Sequence, residues 1–338
     1  MKNNLNMFFL LILISSTLMI ISSNSWFSIW LNLEINLMSF IAIIANNSNI
    51  LLNESSMKYF LIQALASIIL LLSILIFTLN FSLYFNLPEK TLMLMIQLPL
   101  LIKLGASPFH TWFIDLMKNM NWLNCFILMT WQKLAPLFII TYMTSKSYLI
   151  IMIIILSALV GGWGGLNQLD IKKLLAYSSV NHIAWMLVAS LISLSTLLFY
   201  FTFYMILNLL VILSFTQMKI SFINQSFILN KMNILTKILL LISLLSLGGL
   251  PPLLGFLPKW TIINFMMQNN MTFIALTLIL SSLLTLYYYL YPFYSSSILL
   301  NFQPKWMIWN MNNSFFIIFL FITLNLILCF ALIFLPSL

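Results

Sequence analysis

Five ionisable side chains lie deep within apolar stretches of this sequence: Glu34, Lys103, Lys133, His182 and Lys259. Each of these residue types can take up and release a proton, so together they have the chemistry of a proton-transfer chain. A charge at the centre of a bilayer costs at least ~2.5–3.5 kcal/mol on insertion scales, which makes such residues candidates for function.

Lys133 is the most deeply placed of the five. About ten mostly apolar residues flank it on each side, which is a rise of ~15 Å each way in a helix at 1.5 Å per residue. A lysine reaches a membrane surface only from near a helix end, so Lys133 must face a polar interior or lose its proton. Desolvation favours the neutral amine and a nearby carboxylate favours the ammonium. Lys133 is therefore a candidate proton carrier, and a static, paired lysine is the alternative.

Glu34 and Lys103 are a candidate pair at depth. Lys103 comes just before Gly105 and Pro108, which are expected to end a helix whose free carbonyls favour a cation. Opening and closing of a Glu34–Lys103 pair would switch the lysine between its neutral and charged forms. A fixed ion pair that orders two helices is the alternative. The remaining acids are predicted to lie in loops: Glu54, Glu89, Asp115 and Asp170.

Lys259 and His182 are less sharply defined. Lys259 follows a second Gly–Pro sequence by some seven residues, so it is expected nearer one surface, where a snorkelling lysine is the alternative to a proton carrier. His182 lies mid-way along its apolar stretch and is a possible relay, although a lone histidine on a helix is as often a satisfied polar residue.

The stretches that carry these residues make up nearly the whole chain. Of its 338 residues, 63% are apolar and 6% charged, and the mean hydropathy is +1.10, whereas a soluble domain is roughly 45–50% apolar and about 25% charged. Lipid must therefore be the solvent for much of the surface. Strand-like alternation is absent, so we predict an all-α polytopic membrane protein, because only helices and closed barrels pair their backbone groups in lipid.

Eleven segments are long and apolar enough to span a bilayer. They lie near 5–23, 26–45, 58–84, 91–117, 121–143, 147–167, 172–193, 195–218, 236–267, 272–296 and 314–335. Their short connections indicate one transmembrane domain over 1–338. Gly161 and Gly165 stand four apart in one segment, which indicates close helix packing.

Two segments are interrupted by glycine and proline. The fourth contains Gly105 and Pro108, and the ninth contains Gly248, Pro251 and Pro252. Each is predicted to be two half-helices joined by a break, with ordinary proline kinks as the alternative. Similar breaks in two halves of a membrane protein point to internal repeats and to an ion site. The two segments enter from opposite sides, which predicts inverted repeats with a core at about 26–267, followed by C-terminal helices at about 272–335.

Lysines in the predicted loops give the orientation. Nine fall on one side, and Lys90 and Lys146 on the other, which places the N-terminus on the positive, inner side and the C-terminus opposite. The nine are Lys2, Lys58, Lys118, Lys172, Lys173, Lys219, Lys231, Lys237 and Lys305.

Several classes of function are disfavoured. The net charge of +9 comes from scattered lysines and the chain has no arginine, so a nucleic-acid partner is not expected. Cys125 and Cys329 have no partner nearby, and no metal or redox spacing occurs. Neither a nucleotide fingerprint nor a catalytic triad is present, so no metal or cofactor is expected on this chain.

Ordered motifs between about residue 20 and 265 resemble a known family. They include Leu33–Leu37, Gly105–His110, Met129–Pro136, Gly164–Gln168, Asn181–His182 and Leu247–Trp260. This pattern is similar to subunit 2 of animal mitochondrial NADH:ubiquinone oxidoreductase (complex I), an antiporter-like family. The resemblance implies two inverted repeats, each with a broken helix, and a proton-translocating role in the mitochondrial inner membrane.

The resemblance also assigns roles to residues. It implies that Glu34 and Lys103 form a modulating pair, that Lys133 is the central carrier and that Lys259 lies toward the outlet; His182 is our own addition to this chain. It further implies membrane-arm subunits of complex I and lipids as partners, with NADH, FMN, iron–sulfur clusters and ubiquinone bound elsewhere in the complex. The N-terminus would lie in the matrix and the C-terminus in the intermembrane space. A free-standing cation/proton antiporter and a purely structural membrane subunit are the competing hypotheses.

Overall fold

The structure is a computed structural model that describes residues 2–45, 49–83, 88–143, 148–218, 220–223, 225, 234–251 and 253–298. In these ranges the chain forms thirteen helices and one isolated β-bridge, between Asp170 and Phe222. The helices are α1 (Lys2–Ser22), α2 (Trp26–Ile44), α3 (Ile50–Leu83), α4 (Glu89–Leu104), α5 (Thr111–Asn119), α6 (Trp122–Met129), α7 (Trp131–Tyr142), α8 (Tyr148–Gly164), α9 (Ile171–Ile192), α10 (Leu194–Met218), α11 (Ile234–Gly248), α12 (Phe256–Gln268) and α13 (Thr272–Ile298).

The predicted all-α membrane class is confirmed. Within the described ranges, seven spans are long and apolar enough to cross a bilayer, and shorter apolar helices lie at Thr91–Leu104 and Tyr148–Gly164. The total of eleven spans stays a prediction, and the eleventh, near 314–335, lies outside the described residues.

Both predicted helix breaks are present. α4 ends at Leu104, and Gly105 follows with φ +72°; α11 ends at Gly248, and Gly249 follows with φ +82°. These left-handed conformations favour glycine, because a Cβ there is strained. After each break the chain passes through a short non-helical stretch. The next helix begins at Thr111 after the first break and at Phe256 after the second. Pro252, which was assigned to the second break, lies outside the described residues.

A third interruption was not predicted. The fifth predicted span is confirmed at Trp122–Tyr142, but a turn at Thr130 (φ −112°, ψ −72°) divides it into α6 and α7. The Thr130 hydroxyl donates to the Phe126 carbonyl at 2.7 Å, a bond that bends helices. Pro136, inside α7, also lacks the amide that a regular helix would use. Lys133 therefore lies in the first turn of a helix rather than at the middle of one.

The loop placement of three acidic residues is also wrong. Glu54 lies in α3, Asp115 in α5, and Glu89 is the first residue of α4, whereas Asp170 precedes α9 as expected. α3 begins well before residue 58 because Glu54 and Lys58 are spaced i, i+4, and their side chains form an ion pair at 2.6 Å that supports the extra turns.

The chain divides into two compact units. The first unit comprises Met1–Ser157 with His182–Leu194, and the second comprises Ala158–Asn181 with Ser195–Leu338. In the first, α2 packs on α1 and α3, and α4 packs on α3 and α7; in the second, α13 packs on α11 and α12. A Cβ on Gly161 would lie 2.6 Å from the amide nitrogen of Asn181, so the predicted close helix packing at this glycine is confirmed.

Candidate functional site

Lys133 is buried in the first unit. Its side chain is 2% exposed, and Nζ lies 5.0 Å from the centroid of the Phe113 ring. An ammonium within about 6 Å of an aromatic face is attracted by the ring quadrupole, more strongly once water is removed. The ring therefore compensates part of the desolvation cost of the ammonium. This environment suits a lysine that exchanges its proton.

Lys103 and Lys133 line the same internal cavity. Its volume is about 10 Å³, close to the ~10–15 Å³ that a single water molecule needs. The indole Nε1 of Trp112, which is also in the lining, is buried and has no hydrogen-bond partner in the structure. The polar lining comes from Tyr59, Gln63, Lys103, Trp112, Gln132 and Lys133. A polar cavity of this size has room for about one water molecule.

Amide side chains fix the walls of this cavity. Gln132 donates through Nε2 to Oδ1 of Asn36 at 3.0 Å and accepts from the Tyr59 hydroxyl at 3.3 Å. Gln63 donates to the backbone carbonyl of Lys103 at 3.4 Å. These bonds link α2, α3, α4 and α7. They also give the buried amide groups the hydrogen-bond partners that polar groups need in a protein interior. Neutral hydrogen bonds between helices therefore help to set the geometry around both lysines.

Glu34 and Lys103 are near each other but not in contact. The Glu34 carboxylate acts electrostatically on the Lys103 ammonium, although their charged atoms are not within the 4.0 Å of an ion pair. Lys103 is 8% exposed and lies in the last turn of α4, where the helix dipole favours a cation. The separation argues against a fixed ion pair and leaves room for the pair to close and open.

Lys259 occupies the break of the second unit. It is 6% exposed, and its Nζ donates to the carbonyl oxygen of Gly248 at 2.8 Å. This bond places the Lys259 ammonium at the C-terminal end of α11, and its expected position nearer one membrane surface stays a prediction. The free carbonyls and the dipole at that end stabilise an ammonium. Gly249 leaves the space for this side chain, since a Cβ there would lie 2.9 Å from the lysine Nζ.

His182 is buried in α9 and belongs to the first unit with Lys103 and Lys133. Its relay role stays a prediction. Among the described residues, no group of three or more His, Cys, Asp and Glu side chains has the arrangement of a metal site.

The site contains residues that sequence reasoning missed. Asn36, Tyr59, Gln63, Trp112 and Gln132 contribute the polar walls and the contacts between helices. Glutamines within apolar stretches could have indicated these polar walls, because a glutamine side chain in lipid needs a hydrogen-bond partner in the protein. The sequence does not show which helix supplies that partner.

Comparison with known proteins identifies the family. Residues 23–285 match the model of the NADH:quinone oxidoreductase/Mrp antiporter transmembrane family. The chain is 46% identical over 320 residues to NADH-ubiquinone oxidoreductase chain 2 of Anopheles gambiae, covering 93% of this chain and 92% of that protein. The chain belongs to the NADH-ubiquinone oxidoreductase chain 2 family. A second chain 2 relative, from Locusta migratoria, is 40% identical over 309 residues, covering 90% of this chain and 89% of that protein.

Solved structures share the chain 2 fold. Respiratory complex I from Thermus thermophilus with bound aureothin contains a chain that aligns with a TM-score of 0.79 at 23% identity, covering 96% of this chain and 76% of that one. A chain of the Mrp complex from Dietzia sp. aligns with a TM-score of 0.73 at 17% identity, covering 84% and 59%. At such identities the likeness establishes the fold alone.

Gly249→Ala tests the contact at the second break. The added methyl group meets the Lys259 side chain, and an L-residue in a left-handed conformation costs roughly 1–2 kcal/mol. We expect a lower midpoint of thermal unfolding for the detergent-solubilised protein and, by cryo-EM, a Lys259 Nζ–Gly248 O distance beyond hydrogen-bond range. Gly248→Ala is the matched control, because its Cβ meets only Leu286 at 3.4 Å. Equal midpoints and an unchanged bond in both variants would contradict this account.

Proposed function

We propose that this chain is a proton-translocating subunit in the membrane arm of respiratory NADH:ubiquinone oxidoreductase. The observation that carries the proposal is that Lys103 and Lys133, both buried, line one cavity of the size of a water molecule. Membership in the chain 2 family supports the same function. Two ionisable groups at depth around one cavity are typical of proton relays in membrane proteins.

Proton transfer in the first unit would use the shared cavity. An ammonium at one lysine releases a proton to a water molecule, which gives one of its own protons to the neutral amine of the other. One N–H bond breaks as another forms, and the water is left unchanged. The carboxylate of Glu34 biases this exchange, because its approach favours the charged form of Lys103 and its retreat favours the neutral form.

Lys259 would continue the path in the second unit. Its proton is held at the end of α11 by a backbone carbonyl and by the helix dipole. A proton held by dipoles is released at a smaller electrostatic cost than one held by a full opposite charge. The inverted-repeat core over about 26–267 belongs to the same proposal, since a glycine break of the same kind occurs in both units. We also propose His182 as an additional proton relay.

Electron transfer would take place in other subunits. We place NADH, FMN, the iron–sulfur clusters and ubiquinone there, and we assign this chain membrane-arm neighbours and lipids as partners. The proposed location is the mitochondrial inner membrane. The excess of lysines in one of the two sets of predicted loops supports an N-terminus in the matrix and a C-terminus in the intermembrane space.

Co-migration with the redox enzyme separates this proposal from a free-standing cation/proton antiporter. Membranes solubilised in mild detergent are run on a native gel, stained for NADH dehydrogenase activity, and this chain is located by mass spectrometry. We expect the chain only in the large active band. A sample disrupted with dodecyl sulfate is the control, in which the chain should move to a small species. A chain that runs as a small species in mild detergent would favour the antiporter.

Lys133→Leu tests the role of the buried lysine. The substitution replaces the ionisable group with a shorter apolar side chain, and a lost acid–base group typically costs about 10²-fold or more in rate. We expect proton movement per NADH oxidised to fall in sealed membrane vesicles. Lys118→Leu is the matched control, because Lys118 is exposed at the end of α5. Unimpaired pumping by the Lys133 variant would favour a purely structural subunit.

A further inference from the structure

The indole of Trp112 contributes a buried hydrogen-bond donor to the wall of the cavity in the first unit. The residue is 7% exposed, and its Nε1 has no acceptor among the residues that the structure describes. A buried donor without an acceptor is costly for the fold, and internal water commonly satisfies such groups. Because Trp112 lines the same cavity as Lys103 and Lys133, a water molecule in that cavity is a suitable acceptor.

The first helix break sets the position of this indole. A Cβ on Gly105 would lie 3.3 Å from Cζ2 of Trp112 and 3.2 Å from Cβ of Phe113, so both side chains pack against the glycine that follows α4. Only one ring carbon separates Cζ2 from Nε1, so the N–H edge of the indole lies at this helix end. Lys103 is in the last turn of the same helix. The break therefore brings the indole donor and one of the two lysines together.

Neighbouring aromatic rings hold the indole in place. Its ring centroid lies 6.1 Å from that of Tyr59 and 5.9 Å from that of Phe113, with the Phe113 ring edge-on. Phe113 is the ring that lies 5.0 Å from Nζ of Lys133. A large ring packed between others in a dense interior keeps one orientation. The donor of Trp112 thus has a fixed direction and lies one ring away from the second lysine.

This donor restricts how a water molecule can be oriented. An indole N–H can only donate, so a water that accepts from it keeps one lone pair and two O–H groups. The lone pair can accept from the ammonium of one lysine, and one O–H group can donate to the neutral amine of the other. The second O–H group has an acceptor in the Tyr59 oxygen, which also lines the cavity and uses its own hydrogen to donate to Gln132.

We propose that Trp112 is a positioning residue for proton exchange between Lys103 and Lys133, because its indole N–H holds the cavity water with a lone pair and an O–H group toward the two lysines. The inference rests on the proposed function and deepens it. In each exchange, an N–H bond of the ammonium breaks as the water oxygen takes the proton, and an O–H bond of the water breaks as the neutral amine takes another. The indole N–H bond stays intact.

The same donor limits where the proton can rest. A hydrogen bond that only the neutral form of a group accepts disfavours its charged form, so the N–H of Trp112 disfavours a hydronium ion in the cavity. The proton therefore passes between Lys103 and Lys133 when the receiving amine is neutral, and it does not stay on the water.

A comparison of Trp112→Phe with Trp112→Tyr tests the role of the donor. Both replacements put a six-membered ring in place of the indole and leave similar space, but only tyrosine keeps a donor. The readout is the ratio of the rates of NADH oxidation in H₂O and D₂O by coupled, sealed vesicles that carry each variant in the assembled enzyme. A packing defect that lowers the amount of active enzyme lowers both rates alike and leaves the ratio unchanged. Slower proton exchange raises the ratio.

We expect Trp112→Phe to raise this isotope ratio and to slow proton movement per assembled enzyme about tenfold, the rate equivalent of one net hydrogen bond. Trp112→Tyr should stay near the unaltered enzyme in both measurements. Trp30→Phe is the matched control for a structural indole, because Nε1 of Trp30 donates to the Ser67 carbonyl at 3.1 Å. It should leave the isotope ratio unchanged.

The Lys133→Leu variant separates failure of this inference from failure of the proposed function. An isotope ratio for Trp112→Phe that does not exceed that of Trp112→Tyr overturns the inference. If Lys133→Leu still loses pumping in that case, the proposed function stands. Normal pumping by Lys133→Leu contradicts both.

An assembly defect would not leave the question open. If neither Trp112 variant assembles, a map of the unaltered enzyme at a resolution that shows ordered water decides the matter. Density in the cavity within hydrogen-bond distance of Trp112 Nε1 supports the inference. Density in the cavity beyond that distance overturns it and leaves the proposed function in place, whereas a dry cavity contradicts both.

Discussion

The cost of placing an ammonium group in a low-dielectric interior governs the organisation of both units. Each buried lysine must recover several kcal/mol of lost hydration, and each does so differently. Lys259 donates to a backbone carbonyl at a helix end, Lys133 lies over an aromatic ring, and Lys103 lies at the end of α4 within electrostatic range of Glu34. These three environments differ in the group that faces the ammonium: a backbone carbonyl, an aromatic ring and a carboxylate at a distance.

The helix breaks provide this compensation without added charge. In each unit a glycine in a left-handed conformation ends a helix inside the protein, at Gly105 and at Gly249. The ends leave carbonyl groups and a negative dipole at depth, and a lysine lies at each of them. The left-handed conformation that favours glycine at these two positions thus also determines where each helix ends, and so where the lysine finds the free carbonyl groups. Glycine at 249 also keeps the space that Lys259 fills.

Much of this arrangement follows from the sequence, because depth in lipid is encoded by the length of an apolar stretch. The breaks and the burial of Lys133 could be predicted in that way. The contact of Lys259 with the Gly248 carbonyl could not, since distance along the chain does not show which groups meet across a break. The division at Thr130 accompanies a side-chain hydrogen bond to Phe126 and a proline at 136, and helix periodicity shows neither effect. Gln63 and Gln132 are buried amides whose partners belong to other helices, so their role depends on tertiary contacts.

Water in the cavity between Lys103 and Lys133 is the most direct test of the central claim, which is that the two lysines exchange protons through a shared site. The measurement is a cryo-EM map of the assembled enzyme at a resolution that shows ordered water. The account predicts density for one water molecule within hydrogen-bond distance of Trp112 Nε1 and within reach of both ammonium groups. A cavity that is closed or dry in every state of turnover would contradict it.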